Sequence, residues 1–190
     1  MNTAKPRLIS WSTPAGITEE ILKICRSLSE VGPPAFVVVK PHPLAITYNC
    51  YDNVERVVEK EGGEAVVGWA IYEDPLAFQF IHHLIWVDPS GNLVDVTPNE
   101  ICREQVLFIP LEKQPAEVVT PVPSNFFARV EDPAVEELLK IFEDEIRLYR
   151  RYHNKSTGEP CIPSPALRNL RVRFSKIAPR IKRLRQEAIA

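Results

Sequence analysis

Residues 82–98, HHLIWVDPSGNLVDVTP, decide how the centre of this chain folds. Two apolar runs flank the segment DPSGN at 88–92. Its proline suits the first central position of a type I turn, and its glycine suits the left-handed conformation that follows. Strand-forming residues on both sides of such a turn are typical of a β-hairpin. The stretch therefore predicts two antiparallel strands, over 78–87 and 93–97, joined by a tight loop.

The hairpin also predicts which side chains share a face of the sheet. If Asp88 pairs with Asn92, His83 and Asp95 are diagonal neighbours on one face, about 7 Å apart at the backbone. His82 then points to the other face, and a slip of one residue in register would exchange the two histidines. Taken singly, a strand histidine or a turn carboxylate is more often structural than catalytic. A carboxylate inside the apolar run LVDV, however, is costly to bury without a partner, and an imidazole on the next strand is such a partner.

Upstream of the hairpin, Cys50 is predicted to begin a helix. The run 52–60 places three valines on one face, and Gly62-Gly63 ends it. The unpaired amides and the dipole at a helix N-terminus stabilise a thiolate. A cysteine taken alone is more often a small buried apolar residue. The histidine and carboxylate downstream make Cys50 a candidate nucleophile.

The rest of the chain predicts an α+β protein. Residues 110–123, which are spaced by prolines, are left unassigned because they suit a strap or a loop equally. We expect a core over 1–130 and a helical extension with a basic tail over 131–190. Helices are predicted over Thr18–Leu28 and Pro133–Tyr152 and in part of the tail after Pro165, and further strands over Ala35–Val39 and Glu64–Tyr72.

Composition and cysteine spacing narrow the function classes. The 190 residues fit one domain with extensions, and the net charge of −2 predicts no general attraction to nucleic acid. No run approaches the roughly 20 apolar residues of a membrane span, and the N-terminus lacks the apolar core of a secretory signal, so we expect a cytoplasmic protein with no membrane contact. The four cysteines lie far apart without a CxxC pair, which predicts neither a disulfide framework nor a zinc knuckle. Cys25 is expected in the core and Cys161 in an exposed loop.

A metal site is the less favoured interpretation of the histidines. His42, His82, His83 and His153 could be combined with Cys50, but none of the spacings typical of a preformed zinc site is present. We therefore expect no metal and no cofactor.

The basic tail allows two interpretations. It carries eight arginines and lysines between Arg168 and Arg185, followed by Glu187. We favour pairing of this tail with the acidic helix 133–152 over binding of nucleic acid or another anionic partner.

The order of these features resembles the core of transglutaminase-like and papain-like cysteine enzymes. The matching stretches are Asn49-Cys50 with its helix, HLIWV at 83–87, and LVDVTP at 93–98. Together with Gly68-Trp69 they are most similar to uncharacterised bacterial and phage proteins. The resemblance implies a papain-like fold, in which the cysteine-bearing helix packs on a small antiparallel sheet.

The same resemblance implies covalent acyl transfer on a peptide, protein or glutamine-type amide. Cys50 would attack the carbonyl, His83 would carry the proton, and Asp95 would orient the imidazole. Papain-like enzymes often have a glutamine upstream of the cysteine as oxyanion donor, and none precedes Cys50 here. The remaining oxyanion or substrate-side candidates are the backbone amide of Cys50 and the side chains of Asn49, Tyr48, Trp69, Trp86 and His82.

Both the reaction type and the class of function stay open at this point. The sequence does not separate hydrolysis, deamidation and transfer to an amine. It is also compatible with a non-catalytic binding module on the same fold, or with a nucleic-acid-associated protein that uses the basic tail.

Overall fold

The computed structural model describes residues 11–28, 32–47, 49–99, 104–112, 123–152 and 162–189. The described residues combine helices with one sheet, so the predicted α+β class is confirmed. The helices are α1 Glu19–Leu28, α2 Cys50–Glu61, α3 Pro133–Arg151 and α4 Ser164–Ile189, and the strands are β1 Ala35–Val39, β2 Glu64–Asp74, β3 Ala77–Val87, β4 Leu93–Asp95, β5 Gln105–Pro110 and β6 Asn125–Ala128.

The sheet is larger than the small antiparallel sheet expected from the sequence. It has six strands in the order β2-β5-β1-β4-β3-β6, and β2 also pairs with β3, so that five strands close into a barrel-like ring and β6 is added outside it. The pair β1–β4 is parallel, and every other pair is antiparallel. The expectation of a purely antiparallel sheet was therefore wrong, because β1 enters between β4 and β5 rather than at an edge.

The β3–β4 hairpin has the predicted register. Trp86 pairs with Val94 and Val87 with Leu93. The backbone N–H of Asp88 donates to the carbonyl of Asn92 at 2.9 Å. Gly91 has a φ of 87°, which a residue with a side chain rarely adopts. Local turn chemistry thus sets which residues of β3 face into the barrel.

Helices cover the outside of the barrel, and apolar side chains fill its inside. α1 packs over a cluster that includes Trp69 and Phe80, and Cys25 is buried in it, as predicted. α2 packs over a second cluster around Leu84 and Val96. The third cluster, with Ile85 and Phe108, is the barrel interior. Leu84 and Trp86 of β3 therefore face α2 and Phe80 faces α1, whereas His83 and Ile85 face inward.

The C-terminal helices pack together beside the turn between β2 and β3. Their shared apolar cluster includes Leu76 of that turn and Leu138 and Ile181 of the two helices. Arg173 of α4 pairs with Glu137 at 2.8 Å and also with Asp144, both on α3, so this part of the predicted pairing between tail and acidic helix is present. The predicted loop position of Cys161 lies outside the described residues. None of the helices in the described parts of the chain combines the length and apolarity that a bilayer crossing requires.

Candidate active site

The start of α2 presents Cys50 to the sheet. Asn49 is the N-cap residue, and its carbonyl accepts the first helical hydrogen bond, from the N–H of Asn53 at 3.0 Å. The Asn49 side chain makes no cap hydrogen bond and instead donates to the Asp52 carboxylate at 2.7 Å. The helix ends at Gly62, whose N–H donates to Val58. Cys50 thus lies in the first turn, where backbone N–H groups have no partner within the helix.

The β3–β4 hairpin brings His83 and Asp95 together inside the barrel. His83 Nε2 lies 3.0 Å from Asp95 Oδ2, and both residues are buried, at 9% and 4% exposure. At this distance the carboxylate and a protonated imidazole form an ion pair. The other carboxylate oxygen, Oδ1, accepts from the backbone N–H of Thr97 at 3.0 Å. The carboxylate is therefore held on one side and faces the imidazole on the other.

Cys50 and His83 form a coupled acid–base pair. Burial raises the pKa of the Cys50 thiol, but the positive charge of His83 and hydrogen bonds from the His83 side chain and the Leu84 backbone lower it further than burial raises it. Burial lowers the pKa of His83, but the negative charges of Asp95 and Cys50 raise it well above 6.5. The two shifts favour a thiolate beside an imidazolium. Such a thiolate is the nucleophilic form of cysteine.

The neighbour of His83 on β2 has to be a glycine. Gly68 pairs with His83 across the two strands. A Cβ at Gly68 would lie 2.3 Å from the Ile109 carbonyl oxygen and 2.3 Å from the Phe108 ring. Real Cβ atoms do not approach so closely, so the inward face here has room for one side chain, the imidazole. The glycine thus allows the histidine to lie inside a closely packed barrel.

His82 belongs to an aromatic group on the opposite face of β3. Its Nδ1 lies 2.7 Å from the Tyr51 hydroxyl oxygen, and the two rings stack. The ring of Trp69 meets His82 edge-on, with centroids 5.0 Å apart. Burial, followed by the charge of Cys50, raises the pKa of Tyr51. The group is therefore near the thiol but separated from Asp95 by the sheet.

The other substrate-side candidates are mostly engaged in the fold. Trp86 Nε1 donates to the Gly62 carbonyl at 2.9 Å, which ties β3 to the end of α2. Trp69 is 7% exposed and belongs to the cluster under α1. The Asn49 amide is bonded to Asp52. Tyr48 lies outside the described residues. The remaining candidate oxyanion donor is the backbone N–H of Cys50, which lies at the start of α2.

A buried asparagine beside the site is not among the residues predicted from the sequence. Asn53 is 1% exposed and exchanges two hydrogen bonds with the backbone of Ile46, in the segment that leads to Cys50. It also donates to the Thr97 hydroxyl at 3.3 Å. The available signal was a polar residue on the valine-bearing face of the predicted helix, since a polar group on such a face needs buried partners.

No cluster of three or more potential metal ligands occurs within the described ranges, which include His42, His82 and His83 but not His153. His42 is instead paired with Glu61 at the end of α2, at 2.8 Å.

Comparisons with family models, with curated proteins and with solved structures gave no match for this chain.

Proposed function

We propose that this protein is a cysteine-dependent hydrolase or acyltransferase, with Cys50 as nucleophile, His83 as base and Asp95 as the residue that orients the base. One observation carries the proposal. A buried imidazole lies between a thiol with a lowered pKa and a buried carboxylate, in the order that nucleophilic catalysis needs.

The burial of His83 and Asp95 beside Cys50 supports a catalytic rather than a packing role for this trio. Three ionisable side chains in one closely packed place cost desolvation energy, and apolar residues of similar volume are often neutral or stabilising there. Perturbed ionisable groups with mutual contacts are enriched in active sites. The buried His83–Asp95 pair beside a partly exposed Cys50 has this character.

The chemistry proceeds in two steps, acylation of Cys50 and deacylation. The Cys50 thiolate adds to a carbonyl carbon, and the C=O π electrons move to oxygen. The oxygen lone pair then re-forms the C=O bond as the C–N bond breaks, and the imidazolium of His83 protonates the leaving amine. A thioester results. Water or an amine then adds to the thioester, His83 accepts its proton, and the C–S bond breaks to restore the thiolate.

Asp95 keeps the imidazole in the orientation that this cycle requires. Its Oδ2 faces Nε2, which leaves Nδ1 for exchange of the proton with the thiol. The Cys50 backbone N–H at the start of α2 would donate to the carbonyl oxygen as it becomes negative. The positive end of the α2 dipole would also stabilise this negative oxygen.

The arrangement of elements is the second support. A cysteine at the start of a helix, a histidine on a strand and an aspartate on the next strand follow each other in the order of the papain-like and transglutaminase-like enzymes. We propose that the core has this architecture and that its substrate is a peptide or protein amide.

Alkylation of Cys50 as a function of pH tests the proposal without a known substrate. Labelling by iodoacetamide, followed by peptide mapping, should show Cys50 reacting with a midpoint below the ordinary thiol pKa of 9.0. Cys25 is an internal control, because burial raises its pKa to about 11. A midpoint at or above 9.0 for Cys50 would refute the nucleophile and favour a non-catalytic binding module.

Turnover assays then separate the reaction types. A panel of peptides and glutamine amides is followed by peptide cleavage, ammonia release and incorporation of a labelled amine, with Cys50→Ala as the inactive control. Removing this small side chain at a helix start costs little packing, so the control should keep its fold. Equal turnover by Cys50→Ala would exclude covalent catalysis.

A further inference from the structure

We infer that Asn53 is a positioning residue that locks the helix carrying the nucleophile to the chain segment carrying Asp95, an inference that rests on the proposed function. The two halves of the candidate site belong to different parts of the fold. Cys50 lies on α2, whereas His83 and Asp95 lie on the β3–β4 hairpin. Their relative position must therefore be set by contacts between helix and hairpin.

Asn53 makes a direct polar contact between these parts. Its Nδ2 donates to the Thr97 hydroxyl at 3.3 Å, and the Thr97 backbone N–H donates to Asp95 Oδ1 at 3.0 Å. The path continues from Asp95 Oδ2 to His83 Nε2, and from His83 to the thiol. An unbroken series of polar contacts thus runs from α2 through the hairpin and back to Cys50.

The same side chain fixes the approach of the chain to Cys50. Asn53 Oδ1 accepts from the Ile46 N–H at 2.9 Å, and Nδ2 donates to the Ile46 carbonyl at 2.7 Å. Asn53 is one helical turn after Cys50, so both residues lie on neighbouring positions of the helix surface. Asn53 is 1% exposed, so water does not compete for these hydrogen bonds.

Thr97→Val tests the contact at low structural cost. Valine has nearly the same shape but lacks the hydroxyl, and the backbone N–H that holds Asp95 remains. We expect the midpoint of Cys50 alkylation to move towards higher pH, and a rise of one unit would slow labelling about tenfold below the midpoint. Thr97→Ser keeps the hydroxyl and should restore the wild-type midpoint.

Asn53→Ala removes all three bonds and should raise the midpoint further. Val57→Ala is the matched control, since Val57 is also fully buried on α2 but belongs to its apolar contacts. It should lower the melting temperature and leave the midpoint unchanged. If Asn53→Ala does not fold, the Thr97 pair alone decides the question.

The outcomes separate this inference from the proposed function. A wild-type midpoint that is not lowered refutes the proposed nucleophile. A lowered wild-type midpoint that stays the same in Thr97→Val and in folded Asn53→Ala overturns the positioning role. A midpoint that rises equally in Val57→Ala also overturns it, because any loosening of α2 would then suffice.

The outer side of α4 carries exposed cations, and we propose that it is a docking surface for the phosphate backbone of a nucleic acid. The cations that face inward are paired: Arg173 with α3, Arg180 with Asp132 and Arg185 with Asp74. The five remaining cations of the helix are exposed, and we call them the outer basic row: Arg168, Arg171, Lys176, Lys182 and Arg183.

The geometry of the outer basic row fits an extended polyanion. On an ideal helix of 100° per residue its members lie within about 140° of one another and extend over about 22 Å. Pro179 lies inside α4, between Lys176 and Lys182 of the row. The only acidic residue of α4 is Glu187, beyond the end of the row. The buried residues of α4, Leu170, Ile181 and Leu184, face the opposite side. The exposed large apolar residues of α4 are Val172 and Ile189, which are too far apart along the helix to form the continuous apolar face that an interfacial membrane helix buries. Duplex DNA carries about one charge per 1.7 Å of its axis and can offer a phosphate to each cation.

Salt dependence of binding to a labelled 20-base-pair DNA duplex tests this surface by fluorescence anisotropy. Five phosphate contacts predict a slope of log K against log salt of about −4.5, and the double variant Arg171→Gln/Lys182→Gln should reduce its magnitude by about 2. Lys23→Gln/Lys140→Gln removes two exposed cations from α1 and α3 and should leave the slope unchanged. No binding at low salt, an equal loss in the control, or preferential binding of polyglutamate over DNA would each overturn the proposal.

Discussion

The two adjacent histidines of β3 allow a test in which one residue should control the chemistry and the other mainly the stability. His83 faces Asp95 inside the barrel at 3.0 Å, whereas His82 faces α2 and contacts Tyr51. Replacing each histidine by alanine therefore removes very different partners, although the positions are neighbours in sequence.

For His83→Ala the expected loss is kinetic. The variant removes the group that exchanges the proton, and a general acid–base residue contributes about 10²- to 10⁴-fold to the rate. It also removes the charge and the hydrogen bond from His83 that lower the pKa of Cys50, so the alkylation midpoint should move to higher pH. His83→Gln is the companion variant, because it fills part of the space beside Asp95 without being a base.

For His82→Ala the expected loss is thermodynamic. One hydrogen bond to Tyr51 contributes about 1 kcal/mol, and the ring contacts with Tyr51 and Trp69 contribute a similar amount together. A loss of about 2 kcal/mol lowers the melting temperature of a chain of this size by about 4–8 °C. The alkylation midpoint of Cys50 should stay close to that of the wild type.

The assay combines thermal unfolding with pH-dependent labelling of Cys50 in the same preparations. If His82→Ala abolishes reactivity while His83→Ala and His83→Gln remain near wild type, the assignment of the base to the barrel-facing histidine is refuted. Loss of reactivity in both alanine variants without loss of fold would show that the aromatic group takes part in the chemistry.

Three further changes test the site and the fold around it. Asp95→Asn removes the charge that raises the pKa of His83, so the imidazole should carry less positive charge at neutral pH. The alkylation midpoint of Cys50 should therefore rise. Loss of the direct repulsion between Asp95 and the thiolate acts in the opposite direction but is the smaller effect. Gly68→Ala should destabilise the protein by about 1–3 kcal/mol or more in urea unfolding, because its Cβ meets the backbone and ring of β5 at 2.3 Å; unchanged stability would contradict the close packing. Gly91→Ala should cost about 1–2 kcal/mol by the same measurement, since its φ of 87° is unfavourable for alanine although space is open there, and a neutral effect would mean that the turn can change its conformation.

The candidate site was predictable where it depends on local chemistry. The DPSGN turn contains the residues that its backbone conformation needs, and the turn decides that His83 and not His82 shares a face with Asp95. The start of α2 at Cys50 follows in the same way from the glycines at its end and the spacing of its valines. The role of Asn53 was not predictable, because its partners Ile46 and Thr97 come from segments whose contact is not indicated by any local sequence pattern.

The barrel, in contrast, was decided by tertiary structure. β5 pairs with both β1 and β2, yet its sequence, QVLFIP, runs into the proline-spaced stretch that was left unassigned. The parallel pairing of β1 with β4 joins segments separated by a helix and a hairpin, and the stability of such a pairing appears only when the whole ring has closed. By itself, the sequence determined the α+β class, the helix that begins at Cys50 and the face of His83, because capping, turn formation and side-chain alternation act over a few residues. Only the tertiary structure decided that this face lies inside a closed barrel, next to Cys50, because strand pairing over long separations depends on burial that many segments create together.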